Sequence, residues 1–178
     1  MGWFYGFFIL FVLVGASNAV NITDGLDGLA GGLSAIAFLS FGLISWGAGW
    51  AAGYQEIAIL CFIIVGSLIG FLIYNSYPAK VFMGDTGSLA LGATLATIAI
   101  ITGHEITLIA VGGVFVIETL VDIIQIISVK YFGKKVFLMA PLHHHFEKLG
   151  WEERDIVKLF WVIGFILGMA GIAFGVWI

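Results

Sequence analysis

The sequence is organised around residues 17–32, which read SNAVNITDGLDGLAGG. Two amides and two carboxylates stand here between segments that are almost wholly apolar, at Asn18, Asn21, Asp24 and Asp27. A carboxylate in or beside a bilayer is costly and therefore suggests a functional site. The glycines of the stretch allow backbone N–H groups to approach a ligand closely. Together these features predict a polar pocket at a membrane surface, suited to a hard cation and to phosphate oxygens.

The alternative interpretation of this stretch is a helix cap. Thr23 or Asp24 would then cap a helix that begins near Gly28. One side-chain oxygen is enough for a cap, and the stretch offers several more within about three turns. Because Asp24 and Asp27 are three residues apart, they also share a face on a helical turn. The spacing therefore favours a ligand site over a cap alone.

The composition indicates an integral membrane protein. The chain has 178 residues, of which 61% are hydrophobic and 10% are charged, and its mean hydropathy is +1.13. Soluble domains are nearer half apolar and a quarter charged. The single cysteine, Cys61, lies in an apolar run, which excludes a disulfide framework and a thiolate metal site. The start lacks a basic region and a small-residue cleavage site, so we expect no signal peptide. Because the chain opens almost directly in a hydrophobic span, we expect more chain to precede it.

The hydrophobic runs predict an all-α, polytopic transmembrane helix bundle that forms one domain over residues 1–178. A span needs about 20 apolar residues. Small residues four apart, at Gly66 and Gly70 and at Gly164 and Gly168, would permit close helix packing. A dimer face at these glycines is the alternative. Six spans are predicted, at about Trp3–Ala16, Leu29–Gly47, Ile57–Tyr74, Ser88–Ile101, Ile106–Val129 and Val157–Trp177.

The basic residues predict the orientation. The connections 48–56 and 102–105 carry no lysine or arginine. The excess of positive charge on the other side marks that side as cytoplasmic. The predicted cytoplasmic loops are about 17–28, 75–87 and 130–156. All seven basic residues lie at or after the ends of spans three and five, namely Lys80, Lys130, Lys134, Lys135, Lys148, Arg154 and Lys158.

A second polar stretch, residues 75–88, reads NSYPAKVFMGDTGS. Pro78 and two glycines break the helix, and Thr86 and Ser88 are candidates to cap the next span. Asp85 then lies near a helix N-terminus, where the dipole favours anions. Asp85 could be only an N-cap. A Gly-Asp-Thr-Gly-Ser turn at the membrane face nevertheless resembles a loop that holds phosphate and Mg²⁺.

A third polar stretch, residues 140–151, reads APLHHHFEKLGW. A zinc cluster of its three histidines is disfavoured, because no thiolate is near and neighbouring helical side chains diverge by about 100°. Imidazoles donate well to phosphate oxygens. The lysines upstream strengthen an anion-binding interpretation, although they are also ordinary cytoplasmic flanking charges. Pro141 and the amphipathic segment Phe146–Trp151 predict a hairpin or short helix at the interface.

Span five contains a polar stripe made of Glu118, Asp122 and Gln125. Their spacing of four and three residues places them on one helical face. Such a face must point to the bundle interior or to a wet cleft. This stripe is compatible with two roles. Its side chains line the same pocket as the polar stretches, or they serve only in packing.

The three stretches together resemble the phospho-N-acetylmuramoyl-pentapeptide transferases, a branch of the polyprenyl-phosphate N-acetylhexosamine-1-phosphate transferases. The motif over residues 18–30 is shared across that superfamily, and the His-His-His-Phe-Glu run at residues 143–147 points to the branch. The resemblance implies transfer of phospho-MurNAc-pentapeptide from UDP-MurNAc-pentapeptide to undecaprenyl phosphate with Mg²⁺, giving lipid I and UMP in peptidoglycan synthesis. It implies a bundle of ten transmembrane helices in the bacterial inner membrane, with the active site facing the cytoplasm and this chain as the C-terminal portion.

The resemblance also implies roles for individual residues. Asp85 would bind Mg²⁺ with help from Asn21, and Asp24 would lie near the reacting phosphates. His143, His144 and His145 would donate to phosphate oxygens. Direct attack by the lipid phosphate is the simplest route, and a covalent route through Asp85 is the alternative. The uridine site would comprise Gly25, Leu26, Asp27, Asn75 and Phe82, and the substrate-binding set further includes Asn18, Ser88 and Gln125.

One departure from the family pattern concerns an Asp-Asp-x-x-Lys motif, which has no counterpart in this chain. We therefore expect the chain to be inactive alone. The lipid bilayer is a further expected partner, and a homodimer is left open. No nucleic-acid partner is expected. The rival functions are a related transferase for another UDP-HexNAc, a transporter lined by the stripe of span five, and an inert half-bundle.

Overall fold

The computed structural model describes residues 2–47 and 53–177, and in these ranges the chain is helical with no strand. This confirms the predicted all-α class. The helices are α1 (Gly2–Thr23), α2 (Leu29–Gly47), α3 (Tyr54–Asn75), α4 (Gly84–Ile101), α5 (Glu105–Val111), α6 (Gly113–Phe132), α7 (Leu142–Lys148) and α8 (Glu153–Trp177). The predicted connection 48–56 falls partly outside the described residues.

Five of these helices are long and apolar enough to cross a membrane, and α5 with α6 makes up to a sixth span. The predicted number of spans is therefore confirmed, but the fifth span is not one straight helix. Helices α5 and α6 meet at Gly112 with a bend of 82°. A Cβ on the next residue, Gly113, would stand 2.8 Å from Leu167 of α8. The break thus occurs where the backbone of α6 lies directly against α8.

Helix α1 extends to Thr23, well beyond the predicted end at Ala16. Its polar residues are compatible with a helix because their side chains bond locally. Asn18 Nδ2 donates to the Val14 carbonyl at 2.8 Å, and Ser17 Oγ donates to a carbonyl of α4 at 3.0 Å. The first polar stretch is therefore half helix and half turn. The segments between helices at this end are shorter than the predicted loops, at residues 24–28, 76–83, 133–141 and 149–152.

Helix α2 is the centre of the bundle and packs against α3 and α8. Phe38, Phe41 and Ile44 on α2 are fully buried. The predicted role of Gly164 and Gly168 is confirmed, because a Cβ at these positions of α8 would stand 2.6 and 2.7 Å from side chains of α2. Small residues let these two helices approach closely.

Gly66 and Gly70 on α3 do not share this role. No described atom lies within 4 Å of a Cβ built at either position. They belong to an outward face on which Ile63, Ile69 and Ile73 are each more than half exposed. An apolar outer face is what a helix in contact with lipid or with other transmembrane helices presents.

One end of the bundle collects the polar segments. Helices α1, α3 and α6 end there, and α2, α4 and α8 begin there. The segments between them carry the three polar stretches. The basic residues lie in these segments and at the adjoining helix ends, as the positive-inside pattern predicts.

Candidate active site

The turn between α1 and α2 is fixed by hydrogen bonds to three other elements. Asp27 N–H donates to Glu153 of α8 at 2.7 Å, and Asp27 Oδ2 accepts from Ala79 N–H at 2.8 Å. Gly28 N–H donates to Asn75 Oδ1 at 3.1 Å. Gly28 has a φ of +81°, which favours glycine at this bend. The first polar stretch is thereby held against the second one and against α8.

Several residues predicted to bind substrate have side chains that are engaged inside the protein, by hydrogen bonds or by burial. Asn75 is 4% exposed, and its Nδ2 donates to the Val81 carbonyl at 2.9 Å. Gln125 Oε1 accepts from two backbone N–H groups, those of Val136 and Phe137, at 3.1 and 3.0 Å. The Leu26 side chain is buried at 7% exposure. In this structure these groups shape the loops, and their contact with a ligand stays a prediction.

Asn21, Asp85 and Ser88 form one polar cluster between α1 and α4. Asn21 Nδ2 donates to Asp85 Oδ1 at 3.1 Å and to Ser88 Oγ at 2.9 Å. The predicted cap at Thr86 or Ser88 is wrong. Helix α4 begins with Met83 at its N-cap, without a side-chain cap. Asp85 is exposed in the first turn of α4, so its carboxylate is open to a ligand.

Asp24 lies next to this cluster. Its backbone N–H donates to the Asn21 carbonyl at 3.1 Å. Partial burial raises the pKa of Asp24, and the negative charge of Asp85 raises this pKa further. A carboxylate that is desolvated beside a second carboxylate favours a cation. A bound cation offsets both the lost solvation and the repulsion between the two carboxylates.

The residues present fit a Mg²⁺ ion that is shared with a substrate. Within residues 2–47 and 53–177, no group of three His, Cys, Asp or Glu side chains could enclose a metal ion. Mg²⁺ usually keeps several waters and binds through one or two carboxylates together with substrate phosphates. Asp85, Asp24 and the amide oxygen of Asn21 provide this kind of partial, all-oxygen ligand set.

The three histidines of α7 have different environments. His143 is fully buried, and its Nδ1 lies 3.2 Å from Glu118 Oε1. The His143 ring faces the protein interior in this structure, and its contact with a substrate oxygen stays a prediction. His144 is partly exposed and pairs with Glu147 on the same helix. His145 Nδ1 accepts from the Leu138 N–H at 3.1 Å.

The three polar stretches converge at one end of the bundle. Asn21 joins the first to the second through Asp85. Gly25 joins the first to the third, because a Cβ built on Gly25 would overlap the His143 ring. Phe82 is 75% exposed at this end and is therefore free to stack on a ligand.

A groove of about 590 Å³ lies along the end of α6 and the segment that follows it. Three lysines line it, Lys130, Lys135 and Lys148, together with Asp122 and apolar side chains. The predicted inward face of span five is confirmed, since Glu118 and Gln125 are buried. Their polar atoms bond to the segment 136–143, so these two residues do not line an open path across the bundle.

Two contacts of the site were not predicted from the sequence. Glu153 accepts from Asp27 N–H, and Trp161 Nε1 donates to the Gly28 carbonyl at 3.2 Å. Both residues are on α8, far along the chain from the turn. The sequence signal for Glu153 is its place just before an apolar run, which is equally typical of an ordinary helix start.

The fold and the site define a polytopic α-helical membrane protein with a carboxylate and amide site at one end. A sequence profile described as glycosyl transferase family 4 matches residues 1–103, which is more than half of the chain. The chain belongs to this family.

Similar proteins give a more specific comparison. Proteins named phospho-N-acetylmuramoyl-pentapeptide-transferase from Geobacillus thermodenitrificans and Bacillus subtilis are each 53% identical to this chain over 178 residues. One of the same name from Halalkalibacterium halodurans is 56% identical over 177 residues. These matches cover 99–100% of this chain and 53–54% of the relatives. The chain thus spans about half the length of its curated relatives, and its placement in a C-terminal portion stays a prediction.

Proposed function

We propose that this chain forms part of an enzyme that transfers phospho-MurNAc-pentapeptide from UDP-MurNAc-pentapeptide to undecaprenyl phosphate. The cluster of Asn21, Asp85 and Ser88 beside Asp24 is the observation that carries the proposal. It joins two motif-bearing segments into an acidic, oxygen-rich site at a membrane face. The names of the relatives supply the substrates, since they share more than half of their aligned residues with this chain.

Both substrates carry phosphates, so the site must bring two anions together. We assign Asp85 and the Asn21 amide oxygen to hold Mg²⁺, with Asp24 close to the reacting phosphates. When bound, the ion would neutralise the diphosphate and stabilise the leaving UMP. In this proposal the exposed ring of Phe82 stacks on the uracil. His144, the partly exposed histidine, donates to a phosphate oxygen.

The chemical step that this arrangement supports is an in-line displacement. A phosphate oxygen of the lipid attacks the β-phosphorus of the nucleotide, and the bond from that phosphorus to the bridging oxygen breaks. UMP leaves with the bonding electron pair, and the new phosphoanhydride is lipid I. The lysines of the groove, Lys130, Lys135 and Lys148, offer positive charge to the approaching lipid phosphate. We assign the site to the cytoplasmic side, because the basic residues lie at this end of the bundle.

The test is UMP release in the presence of undecaprenyl phosphate, with UDP-MurNAc-pentapeptide or UDP-GlcNAc as donor. We expect UDP-MurNAc-pentapeptide to release UMP, and we expect this release to require Mg²⁺. Release from UDP-GlcNAc alone would instead assign a related transferase. The chain alone should be inactive and should gain activity when joined to the remaining half of a relative. Absence of UMP release from the joined protein would contradict the proposal.

Replacement of His144 with alanine should reduce the transfer rate at least about tenfold, or about 1.4 kcal/mol in transition-state free energy. The reason is loss of a donor to a phosphate oxygen. Its partner Glu147 offers a matched variant, since Glu147→Ala removes the same contact within α7 but leaves the imidazole. If both variants keep the wild-type rate, His144 has only a packing role.

A reporter fused after Gly47 should lie outside the cytoplasm. Gly47 ends α2 at the opposite end of the bundle from the lysine-bearing segments. A second fusion after Phe132, at the end of α6, should give a cytoplasmic signal. Alkaline phosphatase and green fluorescent protein fusions report the two sides. Reversal of the two signals would invert the proposed orientation.

A further inference from the structure

Glu118 is a buried carboxylate on the membrane-spanning helix α6, with 0% of its surface exposed. Its Oε2 accepts from Leu142 N–H at 2.6 Å, and its Oε1 accepts from His143 N–H at 3.2 Å. Oε1 also lies 3.2 Å from His143 Nδ1. A buried charge is costly unless its oxygens are well supplied with donors. Here the donors all belong to the start of α7, so Glu118 fixes both the backbone and the ring of His143.

The other ring nitrogen of His143 faces the turn that carries Asp24. Nε2 is buried and has no hydrogen-bond partner among the described residues. It lies so close to Gly25 that a Cβ on this glycine would overlap the imidazole. Gly25 does not have a positive φ, so the glycine is needed for space and not for its backbone conformation. A neutral imidazole that donates from Nδ1–H to the carboxylate carries no proton on Nε2, the nitrogen that faces the glycine.

We propose that Glu118 and His143 are positioning residues that support the turn from Asp24 to Asp27 through the contact of the His143 ring with Gly25. Glu118 holds the imidazole, the imidazole supports Gly25, and Gly25 sets where the neighbouring Asp24 carboxylate stands relative to Asp85. His143 acts through this support and does not contact substrate. This inference rests on the proposed function for its effect on rate, but the contact itself can be tested without any activity.

The contact is tested by exchanging volume between the two residues. Gly25→Ala should lower the unfolding temperature by about 5 °C, because it overpacks a buried site. Adding His143→Ala to this variant removes the ring and should return the unfolding temperature to that of His143→Ala alone. Gly66→Ala, where nothing lies within 4 Å inside a helix, is the matched control and should not lower the temperature. Unfolding can be followed with a thiol-reactive dye at Cys61, the single and buried cysteine. Simple additivity of the two substitutions would overturn the proposed contact.

The tautomer and the kinetics test the positioning role. Nitrogen-15 NMR of the protein should show a His143 ring protonated at Nδ1 and not at Nε2, whatever the activity. In the active protein, Glu118→Gln should lower kcat at least about tenfold with little change in KM for the nucleotide. His143→Asn keeps an N–H donor for Glu118 and should retain more activity than His143→Ala. A proton on Nε2 would contradict the proposed arrangement of the ring. An asparagine variant as impaired as alanine, with a raised KM, would show instead that His143 contacts substrate. If no variant and no wild type transfers, the proposed function fails while the NMR and unfolding results still decide the contact.

Discussion

Replacement of Asp85 with asparagine is expected to reduce transfer about 10³-fold while the protein remains folded. Asp85 is the exposed carboxylate in the first turn of α4, and it is held by Asn21 at 3.1 Å. Asparagine has nearly the same shape, and its side-chain oxygen can still accept from Asn21. The substitution therefore removes negative charge from the proposed Mg²⁺ site with little change in packing. The rate should be measured as UMP release over a range of Mg²⁺ concentrations.

Glu56→Gln is the matched control for Asp85→Asn. Glu56 is also an exposed acid in the first turn of a transmembrane helix, but it lies on α3 at the opposite end of the bundle. Its substitution should leave the rate and the Mg²⁺ dependence unchanged. Dye labelling of Cys61 on heating should show that neither variant unfolds at a lower temperature than the wild type. Near-normal turnover by Asp85→Asn would remove Asp85 from the metal site.

An exchange assay on the wild-type protein separates the two chemical routes. A covalent intermediate on Asp85 would let the enzyme exchange labelled UMP into UDP-MurNAc-pentapeptide without lipid acceptor. Direct attack by the lipid phosphate predicts no such exchange. We expect none, because a carboxylate that binds the ion is poorly placed to act as the nucleophile.

The number of spans and their common polar end could be predicted from the sequence, because both depend on local composition. The break between α5 and α6 could not. Gly112 and Gly113 lie inside a continuous apolar run, and glycine is common in transmembrane helices. The bend lies where Gly113 approaches Leu167, a residue of another helix, and local sequence does not reveal such an approach. The end of α1 was misplaced for a related reason, since Asn18 can satisfy its side chain within a helix.

The candidate site was predicted better as a set of segments than as a set of roles. The motifs identified Asn21 and Asp85, and the structure brings them into contact. They did not show that Asn75 and Gln125 are used to hold loops, or that His143 is buried on Glu118. These distinctions depend on which side of a residue faces the core. Spacing along one helix does not determine that when the partner comes from a distant segment.

Replacement of Asp24 with asparagine is expected to stabilise the Mg²⁺-free protein and to reduce transfer about 10²-fold. Burial and the charge of Asp85 raise the pKa of Asp24, so the ionised carboxylate opposes folding at neutral pH. The gain in unfolding free energy over wild type should be full above the raised pKa, should shrink as the pH falls through it, and should vanish below the ordinary carboxyl pKa.

The measurement for Asp24→Asn is thermal unfolding by circular dichroism between neutral and acidic pH, without and with Mg²⁺. Added Mg²⁺ should stabilise the wild type more than the variant, because the ion relieves the repulsion that the substitution has already removed. Asp155→Asn is the matched control, since Asp155 is exposed near the start of α8 and its one ion pair among the described residues is with Lys158 at 3.2 Å. It should show neither the gain nor the Mg²⁺ effect. An Asp24→Asn variant that is less stable than wild type at neutral pH would mean that this carboxylate supports the fold. The argument that burial and repulsion favour a bound cation here would then fail.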